Sequence, residues 1–383
     1  MHDAESDAGH FEEACRLRRE LHEIPELGHK EVATSAFVEQ YLRGLLNCEV
    51  FRPAENSVCA RFGSGNSPLV VRSDLDALPL QDQTGRTEVV HACGHDGHAA
   101  TLLAIARWCA QRPPGSLDVL LVFQQAEETF PSGAPLVIKG ISNRFVPSGV
   151  YGFHLWPELE VGTIGLKTGP LMAAVDGFTI STRSQVRGPT HGENAEAEVS
   201  DALRHLADIY LAIRGSTRGR DLRVSAWTVQ VGQLQGGHRP NAVPLAAELR
   251  GTVRSIDEES REQAFRMIRE RTEAGACEDV ATTIEFQKNI RPHLCNDHGA
   301  IDQLLEAAAV SGVRAIEYPN AVLGISEDFG WYQKLAAGAY MLVGCTAPGA
   351  APRHLHSHDF EFDERALGVA FRTIRALISQ QQA

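Results

Sequence analysis

Residues 117–128 read LDVLLVFQQAEE, an apolar run that stops abruptly at Gln124-Gln125-Ala126-Glu127-Glu128. A short run rich in branched and aromatic side chains, closed by polar residues, predicts a buried strand with a site loop at its end. The pattern recurs along the chain. PLVV precedes Arg72-Ser73-Asp74-Leu75-Asp76, GVYGF precedes His154, and AAGAYMLVG precedes the histidine-rich RHLHSHDF. The stretches HAATLLAIARWCAQ and DERALGVAFRTIRALISQ read as amphipathic helices in between. This alternation predicts an α/β fold. In a parallel or mixed sheet the strand C-termini gather along one edge, so clusters far apart in sequence are expected to face one crevice.

From about Met172 the grammar changes. DGFTISTRS, RVSAWTVQVGQL, AAELRGTVRS and ATTIEFQ read as strands, with EVSDALRHLADIYLAIRG and SREQAFRMIRERTEAG as helices, in the order β-α-β-β-α-β. We read this as a smaller α+β domain inserted at 172–287 into a catalytic domain made of 1–171 and 288–383. A length of 383 residues agrees with two domains rather than one core.

Composition removes several function classes. With 43% hydrophobic and 22% charged residues the chain is globular, and no apolar run approaches the roughly 20 residues of a membrane span. A net charge of −13 without clustered Lys or Arg argues against nucleic acid. The acidic N-terminus, MHDAESDAGHFEEACRLRRE, lacks the features of a signal peptide, so a cytoplasmic location is expected. Eight cysteines are scattered without zinc-ribbon or disulfide spacing, and most are expected to be reduced and buried.

Cys93 differs, because it lies in HACGHDGH, residues 91–98. A thiol nucleophile, a polar structural loop and a metal site could each use this cluster. Glu127-Glu128, His154 and His356 all follow apolar runs, and thiolate, imidazole and carboxylate together suit a borderline divalent ion such as Zn²⁺ or Mn²⁺. Metal is therefore the better reading. The adjacent glutamates point to hydrolysis: one holds an ion while its neighbour moves a proton to and from water.

Taken in order, RRELHEIPELGHKEVATS, RSDLDALPLQDQTG, HACGHDGHAATLLAIA, VFQQAEE, GFHLWP, GPLMAAVDGF, NAVPLAAELRGTVRS, SEDFGWY and LHSHDFEFDE resemble the M20 metallopeptidase clan. Within it they resemble the amidohydrolase branch of hippurate hydrolases, N-acyl-amino-acid aminoacylases and auxin-conjugate hydrolases. The resemblance implies two divalent ions held by Cys93, His95, Glu128, His154 and His356, with Cys93 as a bridging thiolate. It implies Glu127 as the catalytic carboxylate, Asp76 steadying a metal ligand from behind, and an N-acyl amino acid as substrate. It also implies a homodimer paired through the inserted domain.

Asn241 and Arg254 match positions that grip the substrate carboxylate, although a strand arginine paired with a surface acid is the plainer alternative for Arg254. His22, His98 and the Glu327-Asp328 pair are expected to support the architecture, and His354 and His358 to lie at the rim. One departure stands out. Relatives carry GGHAAxPH where this chain has QVRGPTHGE at 185–193, so the histidine that steadies the carbonyl oxygen is missing in an ungapped alignment. His191 is the expected replacement, with Arg187 as the other nearby donor; the alternatives are a surface-loop histidine with the role vacant, or a substrate that needs no such donor. Two rivals remain: hydrolysis of a different amide or amine on the same scaffold, and a metal-binding protein without catalysis. The second is disfavoured because no ligand and no base is missing.

Overall fold

The computed structural model describes residues 2–82, 84–185, 191, 200–218, 222 and 225–380. The chain divides into two compact units, one of Met1–Leu171, Leu294–Asn320 and Glu327–Ala383, the other of Met172–His293 and Ala321–Ser326. Among the described residues no helix is long and apolar enough to cross a membrane.

The larger unit is built on an eight-stranded mixed sheet. Its strands are β1 (Glu49–Ala54), β2 (Ser57–Phe62), β3 (Leu69–Asp74), β4 (Val119–Gln124), β5 (Gly149–Glu160), β6 (Thr163–Leu166), β11 (Arg314–Glu317) and β12 (Gly338–Thr346), with β7–β10 in the smaller unit. They lie in the order β1-β2-β4-β3-β5-β12-β6-β11. β3 runs parallel to both β4 and β5, and Asp74 pairs with Gln124. Both strands are buried at every position, which is why β4 reads as a continuous apolar run, while β3 runs on past the apolar PLVV to take in Arg72, Ser73 and Asp74, which the pattern places in a loop. The ends of β3 and β4 thus present Asp74–Asp76 and Gln125–Glu128 side by side.

Helices α1 (His2–His22), α2 (Val32–Arg43), α3 (His95–Ala110), α4 (Ala134–Ser142), α7 (His298–Val310) and α8 (Arg365–Gln380) accompany this sheet. The structure corrects the reading of α3 as amphipathic: all but Arg107 and Ala110 of its 16 residues are buried. It packs against α1, α8 and β3 at once, so no face is left for water. A second difference concerns His154. The apolar run ends there, but β5 continues to Glu160 and His154 pairs with Leu342 of β12, so the imidazole projects from within a strand rather than from a loop.

The smaller unit carries β7 (Ala174–Ser184), α5 (Ala202–Thr217), β8 (Trp227–Gly236), β9 (Ala246–Ser255), α6 (Glu258–Ala274) and β10 (Val280–Arg291). The strands form an antiparallel sheet in the order β8-β9-β7-β10. Leu206, Ile209 and Ile213 of α5 and Phe265 and Ile268 of α6 pack with Phe178, Ile180 and Leu249 of the sheet. α5 starts later than its apolar pattern suggests, because Asp201 accepts from the Leu203 and Arg204 amides as its N-cap. A capping box of Asp257 and Ser260 starts α6. The unit ends at His293 rather than 287 because β10 pairs with β7 as far as Arg291. It also takes in Ala321–Ser326, where the Leu323 and Ile325 carbonyls accept from the Ala173 amide.

Candidate metal centre

Five stretches of the larger unit meet at the C-terminal edge of β3 and β4. Gly94, at φ +82°, makes the left-handed turn that opens α3, with Cys93 and His95 on either side of it. The His95 ring donates from Nδ1 to the Asp76 carbonyl at 2.8 Å. His154 donates from Nδ1 to the Leu155 carbonyl at 2.6 Å. In both rings Nε2 is left to serve as a ligand, the usual device by which a hydrogen bond to one nitrogen orients the other.

Among the described residues five donor groups have ligand atoms within 4.8 Å of one another: Cys93 with His95 and His154, Cys93 with Glu128 and His356, His95 with Glu127 and Glu128, Asp74 with His95 and His98, and Glu127 with Glu327 and Asp328. Donors bound at about 2.0–2.3 Å lie at most about 4.6 Å apart around one ion, so groups within 4.8 Å are close to the spacing one ion needs. The first two share Cys93. Its Sγ lies 3.2 Å from His154 Nε2, and Glu128 Oε1 lies 3.0 Å from His356 Nε2. His356 reaches in from its loop at φ +62°, with its amide bonded to the Ala92 carbonyl.

Burial, then the Glu128 carboxylate, push the Cys93 thiol well above its ordinary range. Burial, then His98, lower His154 to about 3, so its ring is neutral and ready to ligate. A buried thiol held protonated makes a poor nucleophile, whereas adjacent divalent charge would ionise it outright. The donor set therefore fits metal ions.

Asp76 does more than steady His95. Its Oδ1 accepts from the Glu127 amide at 3.1 Å and its Oδ2 from the Glu128 amide at 2.8 Å, so one carboxylate fixes the backbone of both glutamates. Beneath them lies a buried charge network. The Arg72 guanidinium, fully buried, contacts Asp74 at 2.8 Å, Asp328 at 2.6 Å and Glu327 at 3.1 Å. Tyr340 donates to Glu327, and Gln124 donates to Asp328. The Asp328 amide in turn donates to Glu127 Oε1 at 3.4 Å. The Glu327-Asp328 pair is thus architecture that also touches the site.

The remaining histidines separate clearly. His98 donates to Asp74 and accepts from the Leu155 amide, so both its nitrogens are used. His22 pairs with Asp96 at 2.7 Å. His91 is buried with neither ring nitrogen partnered among the described residues, and burial lowers it to about 4. His354 and His358 are exposed.

The expected substrate residues all belong to the smaller unit. Arg254, on β9, donates from Nη1 to the Gly324 carbonyl at 2.9 Å. Burial, then Arg291, lower its pKa. Among the described residues it forms no ion pair. His191 is exposed and lines a cavity of about 380 Å³ with His238, Arg239 and Asn241. Arg187 lies outside the described residues.

A family model, peptidase family M20/M25/M40, matches residues 70–380. The chain belongs to this family. The hippurate hydrolase of Campylobacter jejuni is 30% identical over 94% of this chain and 94% of its own. The N-acyl-L-amino acid amidohydrolase of Geobacillus stearothermophilus is 34% identical over 74% of this chain and 78% of its own. Among solved structures the Bacillus subtilis YXEP protein, a dinuclear metal binding peptidase of the M20 family, superposes with a TM-score of 0.79. It is 28% identical and covers 98% of this chain and 99% of that one. The family is one of hydrolases, and the two-unit fold is shared with its solved members.

The sequence pattern places Arg72 and Asp74 in a site loop after the strand, whereas they lie inside it, and it gives Glu31 no role. Arg72 and Asp74 lie within an otherwise apolar strand, where any buried charge signals a network. Glu31 carried no signal, because an acidic residue just before a helix is the ordinary helix start.

Proposed function

We propose that this M20 family member hydrolyses the amide bond of N-acyl amino acids, with two divalent ions held by Cys93, His95, Glu128, His154 and His356. The observation that carries this reading is the pair of three-donor groups that share Cys93, with Glu127 beside them. Divalent ions held there, manganese or zinc, supply Lewis acidity that polarises an amide carbonyl and acidifies water. Glu127 takes the proton from water as it attacks and returns it to the departing nitrogen. Asp76 keeps the two glutamates on their separate tasks by fixing both amides. Two copies pair through the smaller unit, and Asn241 and Arg254 receive the substrate carboxylate. The substrate class also agrees with the hippurate and N-acyl-amino-acid relatives.

The test is a panel of N-acyl amino acids and matching amides that lack the carboxylate, run on protein reconstituted with Mn²⁺ or Zn²⁺. Turnover of the first set and little of the second is expected. Activity confined to carboxylate-free amides would move the reading to another substrate class, and no turnover with full metal content would move it to a binding protein. In the same panel Arg254→Ala is expected to lower kcat/KM for N-acyl amino acids by about 10²-fold, because a charge-assisted bidentate contact is lost. The matching amides should change little. An equal loss on both would make Arg254 structural.

His191 is the proposed donor to the carbonyl oxygen as it becomes anionic. His191→Ala is then expected to lower kcat by about 10²–10³-fold, the usual cost of one such donor, with metal content and KM little altered. Near-native turnover would remove His191 from the role.

A further inference from the structure

The loop that carries Glu127 and Glu128 has four consecutive amides, and each donates to a side chain rather than to the backbone ladder. The Gln125 amide donates to Ser57 Oγ at 3.0 Å and the Ala126 amide to Glu31 Oε1 at 2.6 Å. The next two donate to the Asp76 carboxylate. Ala126 is fully buried at φ +55°, a conformation that side-chain-bearing residues avoid. Such a turn persists where its surroundings over-determine it.

Glu31 occupies the N-cap position of α2, where a carboxylate ordinarily accepts from its own helix, yet it makes no such cap bond. Glu26 takes over that task, accepting from the Ala33 and Thr34 amides at 3.1 and 2.8 Å. Glu31 is thereby left to reach across to Ala126, and its other oxygen accepts from Asn56 Nδ2 at 3.4 Å. Its side chain is wholly buried. Burial, then the nearby Asp76 carboxylate, raise Glu31 to about 7, so the contact is kept against an electrostatic cost.

We propose that Glu31 is a positioning residue, which holds the Ala126 turn and so fixes the backbone from which Glu127 reaches the Asp328 amide and Glu128 reaches His356 Nε2. The inference rests on the reading of Glu127 as base and Glu128 as ligand, so its test includes measurements that do not need turnover.

Glu31→Ala, Glu31→Gln, Ala126→Gly and the double variant Glu31→Ala/Ala126→Gly are prepared as full chains with Mn²⁺. Hydrogen exchange of residues 125–128 and metal content are measured beside kcat and KM. Glu31→Ala is expected to speed exchange at the Ala126 amide and to lower kcat by about 10–100-fold with KM little changed, as a misplaced group does. Metal content should fall little, since Glu31 is not a ligand and all five ligand side chains remain. Glu31→Gln keeps an acceptor oxygen and should restore both protection and kcat. The double variant should be no worse than the more damaging single one, because both changes act on one turn.

Unchanged exchange at Ala126 in Glu31→Ala would overturn the proposal, and so would losses that simply multiply in the double variant. If no amide in the panel is turned over, the exchange and metal measurements still decide it.

Discussion

Replacing Glu127 by glutamine is expected to leave metal content and KM unchanged while kcat falls by roughly 10²–10⁴-fold, the range for a general acid–base group. Glutamine matches glutamate in size and can still accept from the Asp328 amide, which now bonds Glu127 Oε1. It cannot take a proton from water. Cys93→Ala is the contrasting variant. Cys93 belongs to two of the five donor groups at the site, so its removal should cost metal first and activity as a consequence. Element analysis beside kcat separates the two roles. A Glu127→Gln protein that purifies without metal, while Cys93→Ala keeps two ions and its activity, would reverse the assignment.

Arg72→Met is expected to destabilise the fold by about 3–5 kcal/mol, the cost of removing one partner from a buried ion network. Arg72 is fully buried and is the cation shared by Asp74, Glu327 and Asp328. Burial opposes its charge, but Glu327, Asp74 and Asp328 together hold it well above the ordinary range. Methionine fills similar volume and leaves three carboxylates facing one another without that cation. Arg72→Lys keeps the charge but loses the planar fork, and should fall between wild type and Arg72→Met. Urea unfolding of the three proteins checks the order. A loss below about 1 kcal/mol in Arg72→Met would place the network among weak surface-like pairs. Because Asp328 bonds Glu127 and Asp74 bonds His98, the surviving folded fraction should also show a lowered kcat.

The apolar runs ending in polar clusters were enough to predict an α/β sheet and an inserted β-α-β-β-α-β unit, because burial on both faces leaves a continuous apolar signature and burial on one face leaves a period. The residue types at 93, 95, 127, 128, 154 and 356 made metal chemistry the better reading over a thiol nucleophile, since several clusters after apolar runs together offer the thiolate, imidazole and carboxylate donors that suit a borderline divalent ion. Local sequence could not locate the continuation of β5 past His154, which depends on pairing with β12. Nor could it show that α3 is covered on every side, because its neighbours α1 and α8 lie at opposite ends of the chain.

The arrangement behind the site is wholly a tertiary matter. Asp76 holding the Glu127 and Glu128 amides, Glu31 holding Ala126, and Arg72 joining Asp74 to Asp328 are contacts over 51, 52, 95 and 256 residues of chain and, within the network, only 2. Sequence determined which chemistry could be done, because that resides in the side-chain types. Structure decided where each group points, because a hydrogen bond depends on distance and angle, and folding alone brings donor and acceptor to within 3 Å of each other.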